Sequence, residues 1–180
     1  MQLKKLFAVM LSLIMVLAMG ITSFAATPGD DGKYGTADDR GTITVEGVES
    51  TATVTAYKVV EAQYNNNGGS FSGYNSLYTS VIPNNRLQAD LNIITREELN
   101  KLADAVNTDE NKTAISMDYA NGSWTATVEP GTYLVLVTGA DTNIYNPMVV
   151  SVYYTNPDGT TNNLHEGKLK IAEGGATAKV

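Results

Sequence analysis

The side chains able to do chemistry in this chain are few and scattered. His165 is its one imidazole, set among Asn162, Asn163, Leu164, Glu166 and Gly167, and there is no cysteine. A single His excludes a multi-His metal centre. The lack of thiols excludes Cys-based zinc, a thiol nucleophile, disulfide staples and a lipid-modified bacterial N-terminus. No GxSxG elbow surrounds a serine, so nothing marks a nucleophile for His165 to serve. Asp30, Asp31, Asp38 and Asp39 crowd the Gly/Asp-rich stretch 26–41. Hard carboxylate oxygens between glycine turns are what an extracellular calcium loop uses. The spacing does not match the twelve-residue EF-hand loop, and a solvated acidic leader accounts for these residues. No metal and no cofactor is therefore expected. Five tyrosines, Tyr64, Tyr74, Tyr78, Tyr153 and Tyr154, would make a glycan-stacking platform if exposed together, against the plainer reading as sheet packing. The amines remain. Lys58 is the one lysine inside an otherwise apolar strand pattern, and burying it unpaired is costly, so it is expected to point outward. Lys168, Lys170 and Lys179 lie in the closing stretch of the sequence.

The elements that would carry these residues read mostly as strands. Thr42–Val48 and Thr51–Val60 alternate with period two and are rich in β-branched residues, and the Glu49-Ser50 step between them suits a tight hairpin. Asn65–Gly69 is a loop, and Ser72–Val81 reads as a short helix or irregular. Thr95-Arg96-Glu97-Glu98 is a capping box, which explains the paired carboxylates as helix N-terminal charge rather than acid/base machinery. Leu99, Leu102, Ala103 and Val106 then recur at helical spacing, which predicts an amphipathic helix over 96–106 packed on a sheet edge. Ala114–Tyr119 and Ser123–Val128 flank the Asn121-Gly122 pair of a hairpin. Glu129-Pro130-Gly131 is a turn, Thr132–Val137 and Met148–Tyr154 are strands, and Asn156-Pro157-Asp158-Gly159 is a turn. Residues 165–180 read as one or two final strands, broken at Gly174-Gly175. About seven short, regularly spaced strands with one helical insertion (about 72–107) give an all-β, immunoglobulin-like sandwich over residues 42–180.

Composition sets the compartment. Of 180 residues, 43% are hydrophobic, enough for a real core. Residues 1–25 have the three parts of a secretory signal: Lys4 and Lys5, the apolar run Leu6–Met19, and small residues at Ser23 and Ala25 for cleavage after Ala25. The run is short for a spanning helix, which needs ~20 residues. No membrane span is expected after cleavage, and the acidic leader 26–41 would follow. The net charge is −7; removing Lys4 and Lys5 leaves ten basic against nineteen acidic side chains, a charge of −9. That sign excludes a nucleic-acid partner and opposes docking on anionic lipid.

Three stretches together resemble the N-terminal domain of Gram-positive, sortase-assembled backbone pilins. Gly41-Thr-Ile-Thr-Val-Glu-Gly-Val48 followed by Val54-Thr-Ala-Tyr-Lys-Val-Val60 is similar to the opening of those domains. Val128-Glu-Pro-Gly-Thr-Tyr-Leu-Val135 is similar to the turn-strand of the pilin and Cna-B folds, and Tyr145-Asn-Pro-Met-Val-Val-Ser-Val152 to the penultimate strand. The helix over 96–106 falls where that family carries a helical insertion. The resemblance implies a structural subunit of a cell-wall-anchored fimbria, with neighbouring pilin subunits and a class C-type sortase as partners. It also implies that a lysine near the end of the domain attacks a sortase-bound thioester to form an intersubunit isopeptide. By position that acceptor is Lys179 in Thr177-Ala178-Lys179-Val180, without the Tyr and Pro of the family's usual motif. Lys170 and Lys168 are the alternates. Many domains of the family also close an internal Lys–Asn or Lys–Asp bond beside a buried acid. With no lysine in strand 42–48, Glu129 has no evident partner and no internal bond is expected. The alternative reading is a surface adhesin module of the same fold that binds a host glycan or matrix protein. An enzyme is not expected.

Overall fold

The structure, a computed structural model, describes residues 21–23, 25–65, 69–88, 93–160 and 170–171. The strands are β1 (Ile21–Ser23), β2 (Gly41–Glu46), β3 (Thr53–Asn65), β4 (Ser70–Ser76), β5 (Ile93–Ile94), β6 (Ala114–Ser116), β7 (Asp118–Ala120), β8 (Ser123–Val128), β9 (Gly131–Thr138), β10 (Met148–Val152) and β11 (Lys170–Ile171). One helix, α1 (Arg96–Thr108), and a 3-10 turn at Asn84–Gln88 complete the described elements. They form a four-stranded sheet ordered β1-β2-β8-β7, facing a five-stranded sheet ordered β10-β9-β3-β4 with β6 beside the first half of β3. β5 and β11 make a short parallel pair. The all-β sandwich expected from the strand spacing is present.

Period-two alternation decides which side chains meet between the sheets. Ile43 and Val45 of β2, Val54 and Ala56 of β3, Trp124 of β8 and Tyr133 and Val135 of β9 fill one cluster. The far face of the five-stranded sheet is covered as well. There Val59, Leu134 and Val149 lie beneath Leu99, Leu102, Ala103 and Val106 of α1, with Tyr78, Ile82 and Leu87 closing the rim. This second layer explains why Tyr133–Val135 is apolar at successive positions: both faces of β9 are buried there. It also moves α1 from the expected sheet edge to a sheet face. The capping box forms as the sequence predicts, with Thr95 Oγ1 accepting from the Glu98 amide at 3.2 Å and the Glu98 carboxylate accepting from the Thr95 amide at 2.9 Å.

Several connections differ from the sequence reading. Glu49-Ser50 is not a hairpin: β2 and β3 lie in different sheets, and the loop crosses between them. The stretch 114–120 is two strands. β6 pairs with β3 in one sheet, buried Met117 turns the chain, and β7 pairs with β8 in the other. The first part of Ser72–Val81, expected to be a short helix or irregular, instead belongs to β4, which pairs with the second half of β3. The Asn121-Gly122 hairpin is as predicted, with φ of 53° and 86° at its two central residues. Gly131 opens β9 at φ 152°, where a Cβ would stand 2.5 Å from the Val60 carbonyl oxygen, so only glycine fits.

Candidate functional site

Lys58 sits where the β3–β9 register shifts, between Lys58 and Val60. It does not point outward. Its side chain is only 15% exposed, and Nζ donates to Glu129 Oε2. The Pro-Gly turn makes this contact possible: it starts β9 at Gly131 and leaves Glu129 beside β3, with Lys58 opposite Tyr133 in the register. Glu129 Oε1 also pairs with Arg40 at 3.5 Å, and Tyr133 donates its hydroxyl to the Glu129 carbonyl at 2.8 Å. Arg40 is held in turn by the carbonyls of Ala37 and Asp39, at 3.0 and 2.8 Å. One carboxylate therefore ties the start of β2 to β3, across the two sheets. The ammonium escapes the cost of burial because it is paired. The expectation of no internal bond rests on the absence of a lysine from strand 42–48, which stands; the accompanying expectations of an outward Lys58 and a partnerless Glu129 are corrected by this contact. Among the described residues Nζ meets Glu129 and no Asn or Asp side chain.

The leader is part of this end of the molecule and is not a solvated linker. Ala26 is 1% exposed; its amide donates to the Tyr153 carbonyl at 2.9 Å, and its own carbonyl accepts from Thr155 Oγ1 at 2.7 Å. Thr27 and Arg40 pair as an antiparallel bridge. Between them the acidic residues cap backbone rather than gather around an ion. Asp38 accepts from the Asp31 amide at 2.9 Å and from Thr36 Oγ1, and the Thr36 contact is the main reason its carboxyl is held below the usual range. Asp39 is buried and accepts from the Gly35 amide at 2.8 Å; burial pushes its carboxyl up. No group of three or more possible metal ligands occurs among the described residues.

The tyrosines do not form an open platform. Tyr78 and Tyr154 are buried, and Phe71 stacks on Tyr154 with ring centroids 4.1 Å apart. Phe71 also meets Tyr64 and Tyr74 edge-on. These rings pack on one another, as strand tyrosines ordinarily do. At the opposite end Glu49 organises the loop before β10. Its carboxylate accepts from the amides of Asp141 and Thr142, at 3.1 and 3.2 Å, from Thr142 Oγ1 at 2.7 Å and from the Asn143 side chain. The Thr142 hydroxyl first, then Asn143, hold its carboxyl low. Sequence reading missed this role, since the partners lie more than ninety positions away.

Of the three candidate acceptor lysines, Lys170 opens β11, parallel to β5 and opposite Ile93. Lys168, Lys179 and His165 lie outside the described residues. So do the candidate signal up to residue 20 and the final strand proposed at the C-terminus. Among the described residues no helix is long and apolar enough to cross a membrane.

Comparison with known proteins agrees with this architecture. Residues 38–174 match the family model of the T6 antigen Ig-like domain. The chain is 26% identical over 175 residues to the trypsin-resistant surface T6 protein of Streptococcus pyogenes serotype M6, covering 91% of this chain and 30% of that protein. It thus spans under a third of the curated relative. Its fold is similar to that of the T6 backbone pilin of serotype M6 Streptococcus pyogenes, a modular three-domain structure. The TM-score there is 0.50 at 22% identity, over 72% of this chain and 27% of that one. A two-sheet sandwich with a capped helix on one face, matched over most of its length, places this chain in the T6 antigen Ig-like domain family.

Proposed function

We propose that this chain is the N-terminal part of a pilus backbone subunit, exported through residues 1–25 and joined to its neighbours through a lysine. The observation that carries the reading is the family match over residues 38–174, whose structural counterpart is one module of a backbone pilin. The role is structural rather than catalytic, and it suits a domain with cores on both faces of its larger sheet. The partners are further subunits and a class C-type sortase, and the location is the wall of a Gram-positive cell.

Lys179 is the acceptor. Its neutral amine attacks the sortase thioester, the C–N bond forms, and the sortase thiolate leaves. An exposed lysine near its reference pKa of ~10.4 is rarely neutral at pH 7, so the enzyme must assist deprotonation. Lys179→Arg keeps the charge without a usable nucleophile. In cells that express the full-length protein and its sortase, this substitution is expected to abolish the high-mass ladder on a denaturing gel. A ladder that survives Lys179→Arg and disappears with Lys168→Arg or Lys170→Arg moves the acceptor. A ladder that survives the triple substitution removes it from this segment.

A further inference from the structure

The bond whose cleavage would release the leader lies inside the folded sandwich. Hydrolysis after Ala25 adds a hydroxyl to the Ala25 carbonyl carbon and a proton to the departing Ala26 nitrogen, so the chain on both sides of that bond must be reached. Both sides are held. Before the bond, β1 pairs antiparallel with β2, Ile21 opposite Val45 and Ser23 opposite Ile43, and Ile21 packs against the inter-sheet cluster. β1 also lies against β10, the edge strand of the other sheet. After the bond, Ala26 is fully buried; its amide donates to the Tyr153 carbonyl at 2.9 Å and its carbonyl accepts from Thr155 Oγ1 at 2.7 Å. Thr27 and Arg40 then exchange backbone hydrogen bonds of 2.9 and 3.0 Å.

A peptidase takes the residues before its cut as an extended strand, through main-chain hydrogen bonds. Here β2 already holds that strand, and the nitrogen that must leave is the Ala26 amide, already bonded to Tyr153. Cleavage of the folded chain therefore waits for these contacts to open, and its rate follows the open fraction. The contacts also form late. β1 on β2 alone is a two-stranded pairing, marginal in water. What secures Ala26 comes from Tyr153 and Thr155, the latter 129 positions on, which at ~5–20 residues per second is made roughly 6–26 s after Ala26.

We propose that closure of the sandwich shuts the leader cleavage site: the cut after Ala25 is made before β10 docks, and a chain that folds first keeps its leader. β10 and the Tyr153–Thr155 segment that follows it are the latch. Until they arrive, the chain on either side of Ala25 is free to enter a peptidase. Once they dock, the same chain is bonded to both sheets, and the fold inhibits its own processing by an intramolecular contact. The latch can be loosened without dismantling the core. Thr155 reaches the Ala26 carbonyl through one hydroxyl, so Thr155→Val removes that bond and keeps the shape of the side chain. This order of events rests on cleavage after Ala25, the export reading given above, and is independent of which lysine is the acceptor.

The test uses the full chain with its leader, unfolded in urea and diluted into detergent micelles. Purified leader peptidase is either present from the start or added once the fluorescence of buried Trp124 shows that refolding is complete. Early addition is expected to give a product whose sequenced N-terminus is Ala26, and late addition to cut at least tenfold more slowly. Thr155→Val is expected to speed the late cut severalfold and to leave the early cut unchanged. Equal rates at the two times, or a late cut no faster in Thr155→Val than in the parent, would overturn the proposal and leave the cleavage reading intact. An early product that starts elsewhere, or no early product at all, would overturn the cleavage reading and the proposal with it, so the early arm tells the two failures apart.

Discussion

Glu49 collects amide, hydroxyl and side-chain donors from Asp141, Thr142 and Asn143, all of which favour its charged form. Its carboxyl titrates below the unfolded value. The stability it contributes is therefore present above the unfolded carboxylate range and is lost as pH falls through the lowered folded value. Asp38 behaves in the same way, and so does Glu98, whose main stabilising partner is the Thr95 amide. Asp39 is the opposite case: burial raises its carboxyl, so it opposes folding at neutral pH and ceases to do so as it protonates. Glu97 and Asp158 are held low as well, and five lowered carboxyls against one raised predict net loss of stability as pH falls below the usual carboxylate range. Glu49→Gln is expected to be less stable than the parent at pH 7, with the two denaturation curves converging as pH falls through the lowered value and the parent's carboxyl protonates. Urea titrations at several pH values measure this, and a constant gap down to pH 2 would show that the charge is irrelevant.

Among the elements, β9 and α1 explain each other. The helix buries Leu99, Leu102, Ala103 and Val106 against Leu134 and Val149, which lets β9 be apolar on both faces. Leu102 is fully buried at the centre of this layer. Leu102→Ala is expected to cost about 2–5 kcal/mol, because a deleted isobutyl group leaves a cavity in a packed layer. Thr95→Ala is expected to cost about 1 kcal/mol, through loss of the cap alone. Chemical denaturation followed by tryptophan fluorescence tests both, since Trp124 lies in the other cluster and reports global unfolding. Equal, small losses for the two variants would mean that the helix is a peripheral addition.

For the whole molecule, residues 26–41 act as a strap across one end of the sandwich. Ala26 is anchored to Tyr153 and Thr155, Thr27 to Arg40, and Arg40 to the Glu129 that also holds Lys58. A chain beginning at Arg40 is therefore expected to melt several degrees lower than one beginning at Ala26, since a loss of about 1 kcal/mol moves the midpoint by roughly 2–8 °C at this size. Differential scanning calorimetry decides it, and identical midpoints would restore the strap to a solvated linker.

What the residues alone determined was local. The capping box, the four-residue apolar stripe of α1, the Asn121-Gly122 turn and the alternation in β2 and β8 depend on spacings within one turn or one strand, and all are present. The pilin resemblance likewise rests on short contiguous stretches. The tertiary structure alone decided which strands share a sheet. The step at Glu49-Ser50 looks like a hairpin until β2 pairs with β8, and 114–120 looks like one strand until Met117 turns it from one sheet to the other. A lone lysine in an apolar strand has no local partner, so the sequence alone points Lys58 outward. Its partner is 71 positions away, delivered by the Glu129-Pro130-Gly131 turn. An acid immediately before the turn into a buried strand was the one sequence signal that pointed there. The strap's burial had no such signal, because polar Gly/Asp-rich sequence looks the same free or folded until backbone donors meet carboxylates in space. Contacts between sheets are settled by the summed packing of residues far apart in the chain, and periodicity within a segment carries no record of its partner.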